Sequence, residues 1–290
     1  MSELPQIDSD DSPWSVATIY INRASSFTSE QLEMSLWEMG AEGVITENTL
    51  ITAYFKEEDI SLTAKLNQFL LPYNLSATVK PVENKNWVQE CSKLMESLVC
   101  DNFTVKPIST AKEAESPTPD LIQIIPGMGF GTGHHEATYG ALKLMQSQIL
   151  RKDKIFRVCD VGTGSGILAI GAAKYFFANV VANDIDVEAL ANAKENVEIN
   201  GVQSLVTLTE DDFSIIEGPF DLIIANIYAE VLCQLEPNFR DKLRRNGVLI
   251  LSGIMASLYP AIEECFTKSY WDFLTKDFNG DWVSIMLRKK

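Results

Sequence analysis

The sequence predicts a two-part α/β chain: a small α+β unit in ferredoxin-like order, then a mostly parallel sheet with helices on both faces. Three observations predict it. Residues 14–82 read as strands and helices in the order βαββαβ. From about Phe156 onward, strands and helices alternate, the pattern of a covered parallel sheet. The 290 residues also suit two domains, at roughly 100–200 residues each.

The polar, acidic stretch 1–13 is expected to be a disordered lead-in and is not a secretory signal. Trp14 to Ile21 is β-branched and aromatic, which predicts a strand. Thr28 followed by Gln31 is a capping-box pair, and Leu32, Leu36 and Met39 recur at helical spacing before Gly40 stops the helix. Gly43–Thr46 and Leu50–Phe55 predict two short strands around an Asn48 turn. Leu62, Leu66 and Leu70 predict a second helix, opened by Asp59 or Ser61 and closed by Pro72. Ser76–Val82 completes the unit as a strand. The ferredoxin-like order hosts many functions and by itself assigns none.

Residues 83–102 are expected to be a linker, with a helix over 86–100 that places Trp87, Leu94 and Leu98 on one side. Phe103–Ile108 and Leu121–Ile125 predict paired strands, and AKEAESPTPD between them predicts an exposed loop tip. These open the second domain, 103–290. FRVCDV, NVVANDI, LVTLTE, DLIIANI, GVLILSGI and the closing WVSIML predict its main strands.

Composition narrows the function classes. A 46% hydrophobic and 22% charged chain is that of an ordinary globular protein, and no apolar run reaches the roughly 20 residues of a membrane span. A net charge of −16 opposes general affinity for nucleic acid. It suits either plain solubility or a basic protein partner. The five cysteines (Cys91, Cys100, Cys159, Cys233 and Cys265) match no metal spacing and suggest free thiols in a reducing cytoplasm. His134 and His135 are adjacent with no cysteine nearby, too few ligands for zinc.

The chemistry-bearing motif is VCDVGTGSG, residues 158–166. A buried strand ends at Asp160, and Gly162, Gly164 and Gly166 lead into a helix beginning near Ile167. The glycines permit a tight turn and a close ligand approach, at the strand ends where such sheets bind ligands. Dinucleotide sites use G-x-G-x-x-G, whereas here the third glycine falls one residue early. D-x-G-x-G-x-G after a strand resembles motif I of class I methyltransferases. The alternative is a strand–helix turn with no ligand. About twenty residues on, Asp184 is placed to accept hydrogen bonds from ribose hydroxyls. Asp186 is expected to cap the next helix. Asp212, or its rival Asp211, stands where an adenine amino group could be met, and both could also be solvated turn residues. Asn226 closes the fourth strand, where it could orient an attacking amine or cap the following helix.

PGMGFGTGHHEAT (126–138), DVGTGSGILAI (160–170), NDID (183–186), NGV (200–202), FDLIIANIYAE (220–230), NGVLILSGI (246–254) and WVSIMLRK (282–289) occur in that order. Together they resemble the ribosomal protein L11 methyltransferases, the PrmA family. The resemblance implies a class I, S-adenosyl-L-methionine-dependent fold: a Rossmann-like, mostly parallel seven-stranded sheet behind the ferredoxin-like domain. It implies methylation of α-amino and lysine ε-amino groups on the large-subunit stalk protein, with the N-terminal domain recognising the substrate. Thr138, Gly162, Asp184 and Asn226 are its implied principal donor contacts, with Asp160, Gly164, Gly166 and Asp212 beside them. Phe130, Gly131, Thr132 and Gly133 would close over the methionine end, and His135 would brace that segment. The family usually has two threonines where this chain has Ala137 and Thr138. The expected enzyme is a cytoplasmic monomer needing no metal, nucleic acid or membrane. A lysine methyltransferase with another protein target, or a non-catalytic ribosome assembly factor, are the alternatives.

Overall fold

The computed structural model describes residues 14–21, 29–47, 49–56, 59–82, 97–126, 136–147, 149–150 and 154–290. The lead-in 1–13, Thr28, Asn48, Cys91 and most of the expected linker lie outside them. The chain divides into two compact units, Met1–Asn86 and Trp87–Lys290.

In the first unit, strands β1 (Trp14–Tyr20), β2 (Ala41–Glu47), β3 (Leu50–Phe55) and β4 (Ala77–Val82) alternate with helices α1 (Ser29–Glu38) and α2 (Asp59–Leu70). The sheet runs β2-β3-β1-β4, every neighbour antiparallel. Period-two alternation buries Ala17 and Ile19 of β1 with Ile51 and Ala53 of β3. Leu32 and Leu36 on α1, and Leu62, Leu66 and Leu70 on α2, close the core at i, i+4 spacing. Each buried leucine contributes about 1.5–3 kcal/mol.

The second unit holds a seven-stranded sheet in the order β10-β9-β8-β11-β12-β14-β13. Its strands are β8 (Arg157–Val161), β9 (Asn179–Asn183), β10 (Val206–Thr209), β11 (Phe220–Asn226), β12 (Leu243–Met255), β13 (Trp271–Asn279) and β14 (Trp282–Lys289). Strands β8 to β12 are parallel, and β14 joins antiparallel to β12 and β13. One apolar layer lies under α3 (Glu136–Met145), α4 (Ile167–Phe176) and α5 (Val187–Ile199). The opposite layer lies under α6 (Ala229–Lys242) and α7 (Tyr259–Cys265). Because β8 sits between β9 and β11, the strand order reverses beside it. That creates a crevice outside the carboxyl ends.

A second, three-stranded sheet, β5-β6-β7, comprises β5 (Leu98–Cys100), β6 (Phe103–Pro107) and β7 (Leu121–Ile124). The expected pairing of β6 with β7 is present and parallel. The helix expected as far as Cys100 does not reach that far, because Leu98–Cys100 pairs antiparallel with β6. Asp101 takes a φ of 50° to make the two-residue turn, which a reading by helical spacing overlooks. Loop 111–120 is largely exposed as expected, yet Lys174 on α4 donates to the carbonyls of Thr118 and Leu121 and anchors it.

Strand β13 was not expected, since its charged residues hide the alternation. It is an edge strand whose Trp271 alone is fully buried, donating to Glu236 at 2.8 Å. Not all cysteines are free thiols: α6 and α7 bring Cys233 and Cys265, 32 residues apart, to a Cα separation of 5.6 Å in a disulfide. Cys100 and Cys159 are buried free thiols; burial pushes the Cys100 thiol up to about 12 and Cys159 higher still.

Candidate active site at the strand tips

The site grows from the end of β8. Asp160 is fully buried, and its Oδ2 accepts from Thr163 Oγ1 (2.7 Å) and the Ala169 amide (3.0 Å), so it braces the glycine turn against the first turn of α4. Gly162, Gly164 and Gly166 have φ values of 69°, 53° and 83°, the left-handed region open to glycine. Contact also demands glycine at two of them. A Cβ on Gly162 would lie 2.5 Å from Ile227 Cγ2, and one on Gly166 would press on Ala193 of α5. The turn is tied to β9 through the Gly162 and Thr163 amides, which both donate to the Asn183 carbonyl at 2.9 Å.

Asp184 follows directly. Its Oδ2 accepts from the Gly164 amide at 2.8 Å and its Oδ1 from the Asp186 amide at 3.1 Å. Its carboxylate therefore lies against the glycine turn. Asp186 accepts from the Glu188 amide at 2.9 Å and caps α5 as expected. The rival acids beyond β10 are held locally. Asp212 Oδ1 accepts from the Ser214 amide (2.7 Å); the Ser214 hydroxyl first, and then this amide, hold its carboxyl below the usual range, and Asp211 Oδ2 accepts from Thr209 Oγ1 (2.8 Å).

On the other side of β8, Asn226 ends β11. Its Nδ2 donates to Thr138 Oγ1 on α3 at 3.2 Å. The capping alternative does not hold: the residue preceding α6 is Tyr228, with no side-chain capping bond. Beside it, Gly253 (φ 75°) interrupts β12 at a register shift, and a Cβ there would lie 3.1 Å from Asn226 Oδ1. Ser252, paired with Asn226 across the sheet, bonds the Ala137 carbonyl at 2.7 Å and holds the first turn of α3 down.

Among the described residues, the buried side-chain oxygens without a hydrogen-bond partner are Asp160 Oδ1, Asn183 Oδ1 and Asn226 Oδ1. All three stand at the carboxyl ends of β8, β9 and β11. A buried acceptor without a partner costs about 1–3 kcal/mol, so their clustering marks a place for a ligand rich in hydrogen-bond donors. Burial pushes the Asp160 carboxyl up to about 7; its hydrogen bonds pull down and the Asp184 charge adds to the rise.

Comparison with known proteins decides the family. The family model for ribosomal protein L11 methyltransferase (PrmA) matches residues 15–290. The chain belongs to the ribosomal protein L11 methyltransferase family. Family members from Bacillus cereus (strain ATCC 10987) and Bacillus anthracis (strain CDC 684) are each 30% identical over 271 residues, 89% of this chain and 86% of theirs. The crystal structure of a ribosomal protein L11 methylase from Lactobacillus delbrueckii subsp. bulgaricus is 32% identical with a TM-score of 0.60, over 68% of this chain and all of that one. This L11 methyltransferase family member is thus a class I, S-adenosyl-L-methionine-dependent enzyme.

Within the methyltransferase, Asp160, Gly162, Gly164, Gly166 and Asp184 lie at or just beyond the carboxyl ends of the neighbouring strands β8 and β9, and Asn226, bonded to Thr138, ends the adjacent β11. Asp212 lies on the turn after β10. Phe130, Gly131, Thr132, Gly133, His134 and His135 lie outside the described residues. Among the described residues no His/Cys/Asp/Glu group suited to a metal is found. The sequence reading missed Ser252 and Gly253. A glycine within an apolar strand run was the available signal, since it marks a bulge or a close backbone approach.

Proposed function

We propose that the chain methylates the α-amino group and lysine ε-amino groups of ribosomal protein L11, acting as a monomer in the cytoplasm without contacting nucleic acid. The observation that carries this reading is the Asn226–Thr138 pair, which fixes the carboxamide and leaves Asn226 Oδ1 as a buried acceptor at the strand tip.

The residues fit the methyl donor. Bound S-adenosyl-L-methionine supplies a methyl group on a sulfonium that already carries a good leaving group. The enzyme's task is therefore alignment more than acid–base chemistry. Asp184 would hold the ribose, and Gly162 to Gly166 would admit the methionine part. Asp160 Oδ1 would accept from the donor's ammonium. Thr138 would support the methionine end, with Phe130, Gly131 and Thr132 of the adjoining segment over it. Asp212 would meet the adenine edge.

Asn226 is the residue in the catalytic role. An attacking amine must be neutral, and desolvation lowers its pKa toward that state. Asn226 Oδ1 can accept an amine hydrogen and orient the nitrogen lone pair. Unlike a carboxylate, it adds no negative charge that would keep the amine protonated. The net charge of −16 supports a basic protein substrate and disfavours nucleic acid. Among the described residues no helix is long and apolar enough to cross a membrane. The test is a mass spectrum of purified L11 after incubation with enzyme and donor. Methyl increments on its N-terminus and lysines are expected; an unmodified spectrum under conditions where the enzyme binds donor would refute the substrate assignment.

A further inference from the structure

Strand β7 pairs with β6 along one edge only. Its other edge presents main-chain groups that a globular interior must satisfy. Side chains satisfy them in succession. The Leu121 carbonyl accepts from Lys174. The Gln123 amide donates to Asn200 Oδ1 at 3.0 Å, and its carbonyl accepts from Asn200 Nδ2 at 2.6 Å. The Ile125 amide donates to Asn196 Oδ1 at 2.8 Å, and its carbonyl accepts from Asn196 Nδ2 at 3.2 Å. Two asparagines, one turn of α5 apart and both buried, thus stand in for a missing strand.

Asn192 Nδ2 also donates to the Ile125 carbonyl, at 3.1 Å, and its Oδ1 accepts from Asn196 Nδ2 at 3.4 Å, but the difference between Asn196 and Asn200 that bears on the site is a longer reach. Asn196 Nδ2 also donates to the Ser165 carbonyl, inside the glycine turn, at 2.9 Å. Asn200 Nδ2 instead returns to the Asn196 carbonyl of its own helix, at 2.8 Å. Three residues before Asn196, Ala193 is the surface against which Gly166 packs. Helix α5 therefore carries a seat for the glycine turn, and Asn196 is the side chain that bolts the turn to the end of β7.

We infer that Asn196 is a positioning residue for methyl-donor binding: it holds the Ser165 carbonyl and the Ile125 main chain in one fixed relation, so the turn is set before the donor arrives. The inference rests on the strand-tip reading of the donor site. Asn196 touches no reacting atom and acts through the turn.

Asn200 provides the matched control, since it makes the same bidentate bond to β7 without reaching the turn. Asn196→Ala and Asn200→Ala should lower the thermal midpoint comparably. Titration calorimetry with S-adenosylhomocysteine should then separate them. Asn196→Ala is expected to weaken binding about tenfold or more, the loss of about one hydrogen-bonded constraint, and to raise the donor KM with kcat nearly kept. Asn200→Ala should stay within about twofold of the wild type. Asn196→Asp keeps the acceptor for the Ile125 amide but has no donor for Ser165, so it should match Asn196→Ala. Equal affinity in Asn196→Ala and wild type, or equal losses in both alanine variants, would overturn the inference.

Should the variants not fold, hydrogen exchange on the wild type decides. S-adenosylhomocysteine should slow exchange at the Ile125 amide together with the turn, and leave Gln123 unchanged. Protection of the turn alone contradicts the inference. A wild type that binds no donor at all would instead defeat the strand-tip reading.

Discussion

At the scale of single residues, acceptors are left unpaired at the strand ends. Asn226 is the case in point: its Nδ2 donates to Thr138 Oγ1, and Oδ1 has no partner among the described residues and is the acceptor proposed for an incoming amine. Asn226→Ala should lower kcat roughly 10²-fold by loss of orientation, with a smaller loss of donor affinity, of about tenfold or less. Stopped-flow or steady-state rates with L11, beside donor titrations, measure both; an unaltered kcat removes Asn226 from the mechanism. Asp160 gives a pH prediction. Its carboxyl is raised to about 7, so near neutrality part of the population is protonated in the free enzyme. A cationic donor favours the ionised form, so affinity should rise as pH increases through about 7 and level off above it. Below that pH, binding should release a proton, visible by calorimetry in buffers of differing ionisation enthalpy. Asp160→Asn keeps an acceptor for Thr163 and Ala169 and should abolish both effects; a pH dependence that survives in that variant assigns the titration elsewhere. Asp184, the glycines and the Asp186 cap were legible in the sequence because strand, turn and helix lie within about thirty residues and local geometry dictates the residue types. The Thr138–Asn226 bond was not, since its partners are 88 residues apart and only the packing of α3 brings them together.

At the scale of elements, α3 is held to the sheet at a few close points. Gly140 is one: a Cβ there would sit 2.3 Å from Ser284 Oγ on β14. Gly140→Ala should therefore cost about 1–3 kcal/mol of stability, and less in a Ser284→Ala background where that oxygen is gone. Urea denaturation of the two single variants and the double variant measures this; strictly additive effects would mean that Gly140 and Ser284 do not meet. The elements legible from pattern were those with an unbroken helical period or an unbroken apolar run. These include Leu62, Leu66 and Leu70 on α2 and the buried runs of β8 and β11. Strand β13 was hidden because Asp272, Lys276 and Asp277 break its alternation on an exposed edge. Strand β5 was hidden because three residues are too few to show any period.

At the scale of the whole molecule, the legible quantities were charge and motif order. The −16 net charge should steer a basic substrate. The kcat/KM for L11 should fall several-fold between about 50 and 200 mM salt as screening shortens the field, while kcat at saturation changes little. A rate independent of ionic strength would reduce the charge to a matter of solubility. What remained illegible at this scale was contact between distant helices, as the Cys233–Cys265 disulfide shows. Every role proposed for the strand-tip residues depends on where the donor lies. A crystal structure with S-adenosylhomocysteine bound measures it most directly. The ribose hydroxyls should rest on the Asp184 carboxylate, the amino-acid part on the Gly162–Gly166 turn, and the sulfur should face Asn226 Oδ1. A nucleoside bound at any other place, or with its sulfur turned away from Asn226, contradicts the account.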